Sequence, residues 1–305
     1  MEVVVQVIIS SLSLGSFYAL GALGIGLLFG VLRLINFAHG DFITVGGFSL
    51  IVPATAVVAV PLILDFHPVA LIICVVGVVV VWALASYFLL FRHIQTAPPA
   101  VLMIASVALS FSIQNLIIMI YSGRPKAVGL WPELTGVIPL SDKVQVPILQ
   151  LVIVAVTWIL LILLTIFLRR TPIGVEMRAA AEDFRMARML GVNATRVIAL
   201  AFVISGALAG IMALMYHTQT GILSFRGGVF LMLYAFIATV IGGMGSLIGA
   251  VVGGYVVGIF STVLIAVLPE GMRGFRDAFV FGLVVVILLA RPQGLVPTRA
   301  FKERV

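Results

Sequence analysis

The sequence predicts an all-α integral membrane protein, a polytopic helix bundle of roughly eight to ten membrane segments with broken or re-entrant helices. Of its 305 residues, 63% are hydrophobic and 10% are charged, and the mean hydropathy is +1.30. That balance lies outside the range of soluble domains. The uncharged stretch 147–168 is long enough, at about 1.5 Å per residue, to cross a hydrocarbon core.

Apolar runs follow one another along the chain and form a single transmembrane domain, residues 1–305. The first run, residues 3–32, fits either one strongly tilted helix or two broken ones, and the run 228–241 is short for a full crossing. The apolar start is expected to be a retained span rather than a removed signal. The other runs are residues 45–64, 69–91, 99–121, 147–168, 197–216, 247–268 and 278–290.

Basic residues set the predicted orientation, because Lys- and Arg-rich connections stay in the cytoplasm. The connection 169–197 has six arginines against three acidic residues, and the tail 291–305 adds further basic residues. Both are expected in the cytoplasm, so the C-terminus is cytoplasmic and the connections 122–146 and 268–277 lie outside. The same rule explains the net charge of +7 better than nucleic-acid binding does.

Two stretches interrupt the apolar pattern: LRLINFAHGDF at 32–42 and IGGMGSLIGAVVGG at 241–254. Each could break a helix at membrane depth, where freed backbone groups can line a watered cavity. Discontinuous segments at corresponding positions of two halves would form an inverted repeat. No similarity between the halves is evident, so the repeat rests on this pattern alone.

Polar residues at and near the first interruption are the candidates for a translocation pathway or gate. Arg33, His39 and Asp41 would be costly inside a bilayer and would then have a function there. If the first run is one span, they form a salt bridge at a surface turn instead, and both interpretations stay open. For Gln114 and Asn115, which lie within the apolar run 99–121, hydrogen bonding between helices is the alternative to a pathway role. The candidates are Asn36, Phe37, His39, Asp41, Gln114 and Asn115.

The charged stretch RAAAEDFRMARMLGVN, residues 178–193, predicts one helix with a stop signal at Gly191 and Asn193. A face of small residues around one phenylalanine suits close docking against a protein partner. An amphipathic helix in the lipid headgroup layer is the alternative. The face comprises Met177, Ala180, Ala181, Phe184, Ala187 and Gly191.

Other motifs limit the chemistry. Gly245, Gly249 and Gly253 recur every four residues and predict a helix face for close packing. The chain has no phosphate-binding loop, no G-x-S-x-G and no clustered histidines, so neither an enzyme nor an ATP or metal site is expected. The single cysteine, Cys74, excludes an internal disulfide and is assigned to packing.

Several runs together resemble one family, the permease subunits of branched-chain amino-acid ABC transporters of the LivH type. The resemblance spans nearly the whole chain, and INFAHGD and AAED…LGVN are its most specific parts. The runs are LGSFYALGALGIGLLFGVLRLINFAHGDF at 14–42, RAAAEDFRMARMLGVNATRVIALAFVISGALAG at 178–210, GGMGSLIGAVVGGYVVG at 242–258 and RPQGL at 291–295.

The resemblance implies a bacterial inner-membrane assembly with a second homologous permease, two cytoplasmic ATPase subunits that hold ATP and magnesium, and a periplasmic solute-binding protein. It assigns the connection 169–197 to coupling with an ATPase subunit, and it favours the protein partner over lipid. The coupling residues carried over are Ala180, Ala181, Glu182, Asp183, Phe184, Ala187, Gly191 and Asn193.

The implied function is import of branched-chain or other hydrophobic amino acids by alternating access. Within the same class, relatives with similar motifs handle urea, short amides or aromatic acids. A self-sufficient secondary carrier or channel and a non-transporting scaffold are the other classes considered.

Overall fold

The structure, a computed structural model, describes residues 2–55, 59–64, 66–141 and 144–296. Within this part, six helices are long and apolar enough to cross a membrane, and α10 is a shorter apolar helix. The prediction of an all-α polytopic membrane protein is confirmed. The helices are α1 Glu2–Leu32, α2 His39–Phe48, α3 Pro68–Ser86, α4 Arg92–Ile94, α5 Pro99–Tyr121, α6 Ile148–Arg170, α7 Pro172–Glu182, α8 Phe184–Met189, α9 Ala194–Thr220, α10 Gly227–Gly242, α11 Leu247–Val267 and α12 Arg276–Ala290.

Short strands and turns complete the described part. A π-helical turn, Tyr87–Phe91, joins α3 to α4 as one continuous helix. The strands form two antiparallel pairs, and short 3₁₀ turns lie at Pro132–Thr135 and Glu270–Phe275. The first pair is β1 Lys126–Ala127 with β4 Ile222–Leu223, and the second is β2 Val137–Ser141 with β3 Val144–Pro147.

The structure decides between one and two helices for the run 3–32 and corrects the predicted span at 45–64. The first run is one helix, α1. The run 45–64 is not a span, because α2 ends at Phe48 and Ile51 then pairs with Pro61 in an antiparallel bridge. Pro53 and Pro61 explain this, since proline lacks the N–H that a helix interior needs.

The chain folds into two compact units that alternate along the sequence. The first comprises Met1–Gly26, Glu133–Ile166 and Tyr234–Val305, and the second comprises Leu27–Pro132 and Phe167–Leu233. The boundaries between the units fall within α1, α6 and α10 and in the connection that follows β1.

In the first unit, α1 packs against α11 through small residues. Gly258 lies against Gly15, and Gly254 lies against Ala19, so closely that a Cβ atom on either α11 glycine would overlap the α1 backbone. The Ser16 hydroxyl group lies 2.7 Å from the Tyr255 hydroxyl oxygen. Close approach through small residues with a few interhelical hydrogen bonds is typical of membrane helices.

The second sequence interruption lies between α10 and α11 of this unit. The Ser246 Oγ atom accepts a hydrogen bond of 2.9 Å from the Gly249 N–H and caps α11. Gly245 has φ +87° and lies in the turn, so the predicted helix face of three glycines is corrected to two. Gly249 and Gly253 do pack at close range, against the backbone of α10 at Gly242 and Ala238.

In the second unit, α2 is buried along its whole length. Gly46 lies against Ala213 of α9 and Val79 of α3, and Gly47 lies against His217 of α9. These contacts place α2 alongside the second half of α9, with both helices running in the same direction.

The helices α2 and α10 begin in the same way. Each follows a long helix that ends with a residue in the left-handed region, Arg33 at φ +53° after α1 and Gly221 at φ +63° after α9. The first N–H of each short helix then closes a turn by bonding to the carbonyl group three residues earlier. The identical residues at equal spacing are Phe37 and Phe225, Gly40 and Gly228, and Phe42 and Phe230. Residues 33–42 and 221–230 therefore form a short internal repeat.

The two repeats start at opposite ends of α9. Arg33 lines the same cavity as Ala194, the first residue of α9, whereas Gly221 follows the last residue of that helix. From there the first repeat runs towards the middle of α9, since the His39 Nδ1 atom lies 3.2 Å from the Ser205 Oγ atom. Ser205 lies roughly 17 Å along a helix of roughly 40 Å.

The two short helices meet near this level, backbone against backbone. A Cβ atom on Gly40 would overlap the Gly228 carbonyl group, and one on Gly228 would overlap the Gly40 carbonyl group. Thr44 fixes the contact, because its Oγ1 atom accepts a hydrogen bond of 3.0 Å from the Gly228 N–H and donates one of 3.3 Å to the Gly40 carbonyl oxygen. Glycine is therefore required at both positions.

Replacement of either glycine by alanine is expected to destabilise the protein, because the new methyl group must push the two helix starts apart. Overpacking of this kind costs about 1–3 kcal/mol. The matched control is Gly77→Ala in α3, where an added Cβ atom meets nothing within 4 Å. The apparent Tm of the detergent-solubilised protein should fall by several degrees for Gly40→Ala and Gly228→Ala only. Equal Tm values for all three variants would contradict the contact.

Candidate functional site

The start of α2 contains buried polar atoms that have no hydrogen-bond partner in the described part of the chain. The Asn36 Oδ1 atom accepts a hydrogen bond of 3.1 Å from the Ala38 N–H, but Asn36 Nδ2 has no partner. His39 contacts Ser205 through Nδ1, while its Nε2 atom has none. Buried polar groups are normally satisfied, so such a group requires an explanation.

Asp41 is fully buried in the first turn of α2. The Ser110 and Gln114 side chains of α5 approach its carboxyl group, but neither carboxyl oxygen accepts a well-formed hydrogen bond from the described residues. No charged side chain of the described part lies close enough to compensate it. The local salt bridge with Arg33 or His39, one of the two predicted alternatives, therefore does not form.

A polar stripe on α5 faces the first connection and α2. Ser106, Ser110 and Gln114 recur every four residues and are buried. The Ser106 Oγ atom accepts a hydrogen bond of 3.2 Å from the Phe37 N–H and lies 3.2 Å from the Ile35 carbonyl oxygen, to which it can donate. Farther along, the Gln114 Nε2 atom donates a hydrogen bond of 3.0 Å to Ser110 Oγ.

Most of the predicted pathway residues are therefore close together. Asn36, Phe37, His39 and Asp41 lie on the first connection and α2, and Gln114 joins them from α5. Asn115 does not, because it lies on the exposed side of α5 and donates its amide hydrogen to the Phe111 carbonyl oxygen at 2.7 Å.

Sequence reasoning missed four further residues of this site. The i, i+4 spacing of Ser106 and Ser110 ahead of Gln114 was a readable signal, since it places three polar residues on one helix face. Gly228 could have been found from the spacing of Phe37, Gly40 and Phe42, which recurs at 225–230. Ser205 had no such signal. The four are Ser106, Ser110, Ser205 and Gly228.

The predicted single helix at 178–193 is two helices in the structure, α7 and α8, and this prediction was wrong. Asp183 separates them, with extended backbone at φ −144° and ψ 105°. Its Oδ1 atom accepts a hydrogen bond of 3.0 Å from the Met186 N–H, because aspartate favours a helix start over a helix interior. Gly191 then turns the chain at φ +90°, and Asn193 caps α9 through the Arg196 N–H at 3.1 Å.

Half of the predicted small-residue face points into the chain, while Ala181 is half-buried and Gly191 is exposed. Met177, Ala180 and Ala187 are buried, whereas Glu182 and Asp183 are exposed. The Phe184 side chain, part of the predicted face, lies outside the described residues. The residues turned outward form an apolar tip (Met186, Met189 and Leu190), with exposed fractions of 58%, 76% and 85%.

A cavity of about 410 Å³ links this segment to the first connection. Leu32 and Arg33 line one side, and Glu182 and Asp183 line another. The left-handed backbone of Arg33 is strained for a residue with a side chain. The other lining residues are Val31, Gln95, Thr96, Ala180, Ala181, Arg188, Ala194 and Ile198.

Residues 7–289 match the protein family described as branched-chain amino acid transport system / permease component. The chain belongs to this family. Two relatives align along almost the whole permease at 30% identity. They are the high-affinity branched-chain amino acid transport system permease proteins BraD of Pseudomonas aeruginosa, over 295 residues, and LivH of Escherichia coli, over 299 residues. Each alignment covers 95% of this chain and 94% of the relative.

A second kind of relative aligns over part of the permease. The permease protein LivM of Salmonella typhimurium is 33% identical over 147 residues, which cover 46% of this chain and 33% of LivM. No solved structure matches the permease significantly. The resemblance recognised in the sequence is confirmed, and the protein is a multi-pass membrane permease whose relatives are transport components.

Ser106→Ala in the permease is expected to lower stability, because it removes the part-buried hydrogen bond that the Ser106 Oγ atom accepts from the Phe37 N–H. The net contribution of such a bond is about 1 kcal/mol. Ser112→Ala on the same helix is the control, since the exposed Ser112 hydroxyl only bonds to its own helix, at the Ala108 carbonyl oxygen. The apparent Tm should fall for Ser106→Ala and stay unchanged for Ser112→Ala. A similar Tm for both variants would show that Ser106 does not hold the first connection.

Proposed function

We propose that this permease is a membrane subunit of an ABC importer that carries branched-chain or other hydrophobic amino acids across the bacterial inner membrane. The observation that carries the mechanism is the meeting of two helix starts, which enter from opposite ends of α9 and touch at Gly40 and Gly228. Discontinuous helices at corresponding positions are typical of alternating-access carriers. The relatives BraD and LivH, which are named as branched-chain amino acid transport permeases, support the substrate class.

The proposed assembly contains a second homologous permease, two ATPase subunits that bind ATP and magnesium, and a periplasmic solute-binding protein. Support for the second permease comes from the relatives, which include two differently named permease proteins, LivH and LivM. The connection 169–197 and the C-terminus lie on the cytoplasmic side in this proposal, as the basic residues of both segments favour.

The ATPase subunit docks on the outward side of α7 and α8, around the apolar tip. Met189 and Leu190 are among the most exposed apolar side chains of the described part. Acidic residues stand beside the basic ones here, with Glu182 and Asp183 near Arg188. This mixture favours a protein cleft over an anionic lipid surface, which attracts basic residues alone.

A displacement of α7 and α8 is transmitted to the Gly40–Gly228 contact, the proposed gate, through the residues that line the cavity. Ala180 and Asp183 line the cavity together with Leu32 and Arg33, so a displacement of α7 changes the support of the first connection. That connection leads directly to Gly40. Separation of the Gly40–Gly228 contact on one side, followed by closure and separation on the other, gives alternating access.

Leu190→Asp is expected to lower both ATPase stimulation and amino-acid uptake by roughly tenfold or more, which is the scale of an interface anchor residue. Leu190→Met is the matched control and should keep both activities, because it preserves an exposed apolar side chain. The measurement is uptake and ATP hydrolysis by the full complex in proteoliposomes with loaded binding protein. Wild-type rates in Leu190→Asp would exclude docking through the apolar tip.

The function itself is tested by affinity purification of the detergent-solubilised permease, followed by uptake assays on the recovered complex. We expect two ATPase subunits and a second permease, and ATP-dependent uptake of leucine, isoleucine or valine. Uptake that persists without ATP would instead support a self-sufficient carrier or channel. Competition by urea, short amides or aromatic acids, but not by leucine, would move the permease to the alternative substrates.

A further inference from the structure

We propose that Asp41 binds the ammonium group of the transported amino acid, with the Ser110 and Gln114 side chains as its neutral companions. This inference rests on the proposed transport of amino acids and assigns a specificity-determining residue to it. It also gives a chemical reason for choosing amino acids over the amides and carboxylic acids that related systems handle.

The position of Asp41 fits this role. It directly follows Gly40, which forms the backbone contact with Gly228, and it belongs to a helix whose start lies at the level of Ser205, near the middle of α9. Any solute that crosses at this contact passes the first turn of α2. Binding residues of carriers with discontinuous helices are expected at this depth.

The carboxyl group is prepared for a cation that the described residues do not supply. Both oxygens are buried and lack a hydrogen bond of good geometry, and no basic side chain of the described part faces them. Removing an unpaired carboxylate from water is costly, so buried carboxylates are normally paired or hydrogen-bonded. A primary ammonium group brings a positive charge and three hydrogen-bond donors.

The neighbouring residues of α5 suit the same ligand. Ser110 and Gln114 each have an oxygen that can accept a hydrogen bond, and neither competes with a positive charge of its own. Gln114 is anchored to Ser110 by the hydrogen bond at 3.0 Å, so the pair is held as a unit beside Asp41. The other buried residues of this helix are Ser106 and the apolar Leu102, Ile113 and Ile117, so none of them has a charge.

A purely structural role for Asp41 is the competing interpretation, because an acid in the first turn of a helix interacts favourably with the helix dipole. That role predicts sensitivity of folding to Asp41→Asn but no effect on which substrate is chosen. Substrate choice therefore separates the two interpretations.

The test is equilibrium binding of labelled leucine to the complete membrane complex, without the soluble binding protein, because that protein would impose its own selectivity. The competitors are isoleucine and 2-oxo-4-methylpentanoate, which has the leucine skeleton without the ammonium group. Wild-type complex should bind leucine and prefer it to the oxo acid. Asp41→Asn should weaken leucine binding by roughly tenfold or more, as expected for loss of a charge-assisted hydrogen bond, and leave the oxo acid unaffected.

Two further variants complete the design. Asp41→Glu should restore part of the leucine affinity, since it keeps the carboxylate, and Asn115→Ala should behave as wild type, since Asn115 lies on the exposed side of the same helix as Gln114. If Asp41→Asn does not assemble, leucine and the oxo acid are compared in Asp41→Glu and in Gln114→Leu. A reduced preference for leucine in these variants supports the proposal, and a wild-type preference in both overturns it.

Failure of this inference and failure of the proposed function give different results. A wild-type complex that neither binds nor transports amino acids removes the function. A wild-type complex that transports leucine, while Asp41→Asn binds and transports it equally well, removes only the role of Asp41. A wild-type complex that transports leucine but binds it no better than the oxo acid has the same consequence.

Discussion

The backbone contact between Gly40 and Gly228 is the constraint on which the second unit depends. Two helices begin there with no side chain between them, so the first connection and the start of α10 must return to the middle of α9 to meet. Thr44 then links the two starts through both a donor and an acceptor. The buried polar atoms of Asn36, His39 and Asp41 follow from this arrangement, because each lies within a few residues of the contact.

The sequence predicted much of this architecture, and its failures have physical causes. Hydropathy located the long spans, since a run such as 147–168 has to match the membrane thickness. Polar and glycine-rich interruptions located both helix breaks. The prediction of a span at 45–64 was wrong because it rested on apolar composition and overlooked the prolines of this run. The prediction of one helix at 178–193 was wrong because Asp183 accepts a hydrogen bond from the Met186 N–H instead of continuing the helix. The prediction that Gly245 belongs to a helix face was wrong because the spacing of glycines does not reveal a positive φ.

The candidate site was predicted in part for a related reason. Asn36, Phe37, His39 and Asp41 are adjacent in the chain, so one polar interruption identified them together. Their partners come from distant helices, and a single sequence contains no distances between Ser205 and His39 or between Gly228 and Gly40. The sequence analysis matched the interruption 32–42 with 241–254, whereas the structure matches 33–42 with 221–230. The evidence for this repeat is mostly conformational: the left-handed residue and the closed turn recur, while few of the side chains are identical.

The two repeats differ at their first residue, and that difference gives their starts unequal backbone strain. Glycine adopts the left-handed conformation at 221 freely, and the second repeat is tied down by the pairing of β4 with β1. Arginine holds the same conformation at 33 at a cost of about 1–2 kcal/mol. The first repeat thus starts with a strained backbone conformation beside the cavity, whereas the second starts with an unstrained glycine and is held by strand pairing. In the proposed alternating-access mechanism, this difference in backbone strain would make the two helix starts unequal in the free energy needed to move them apart.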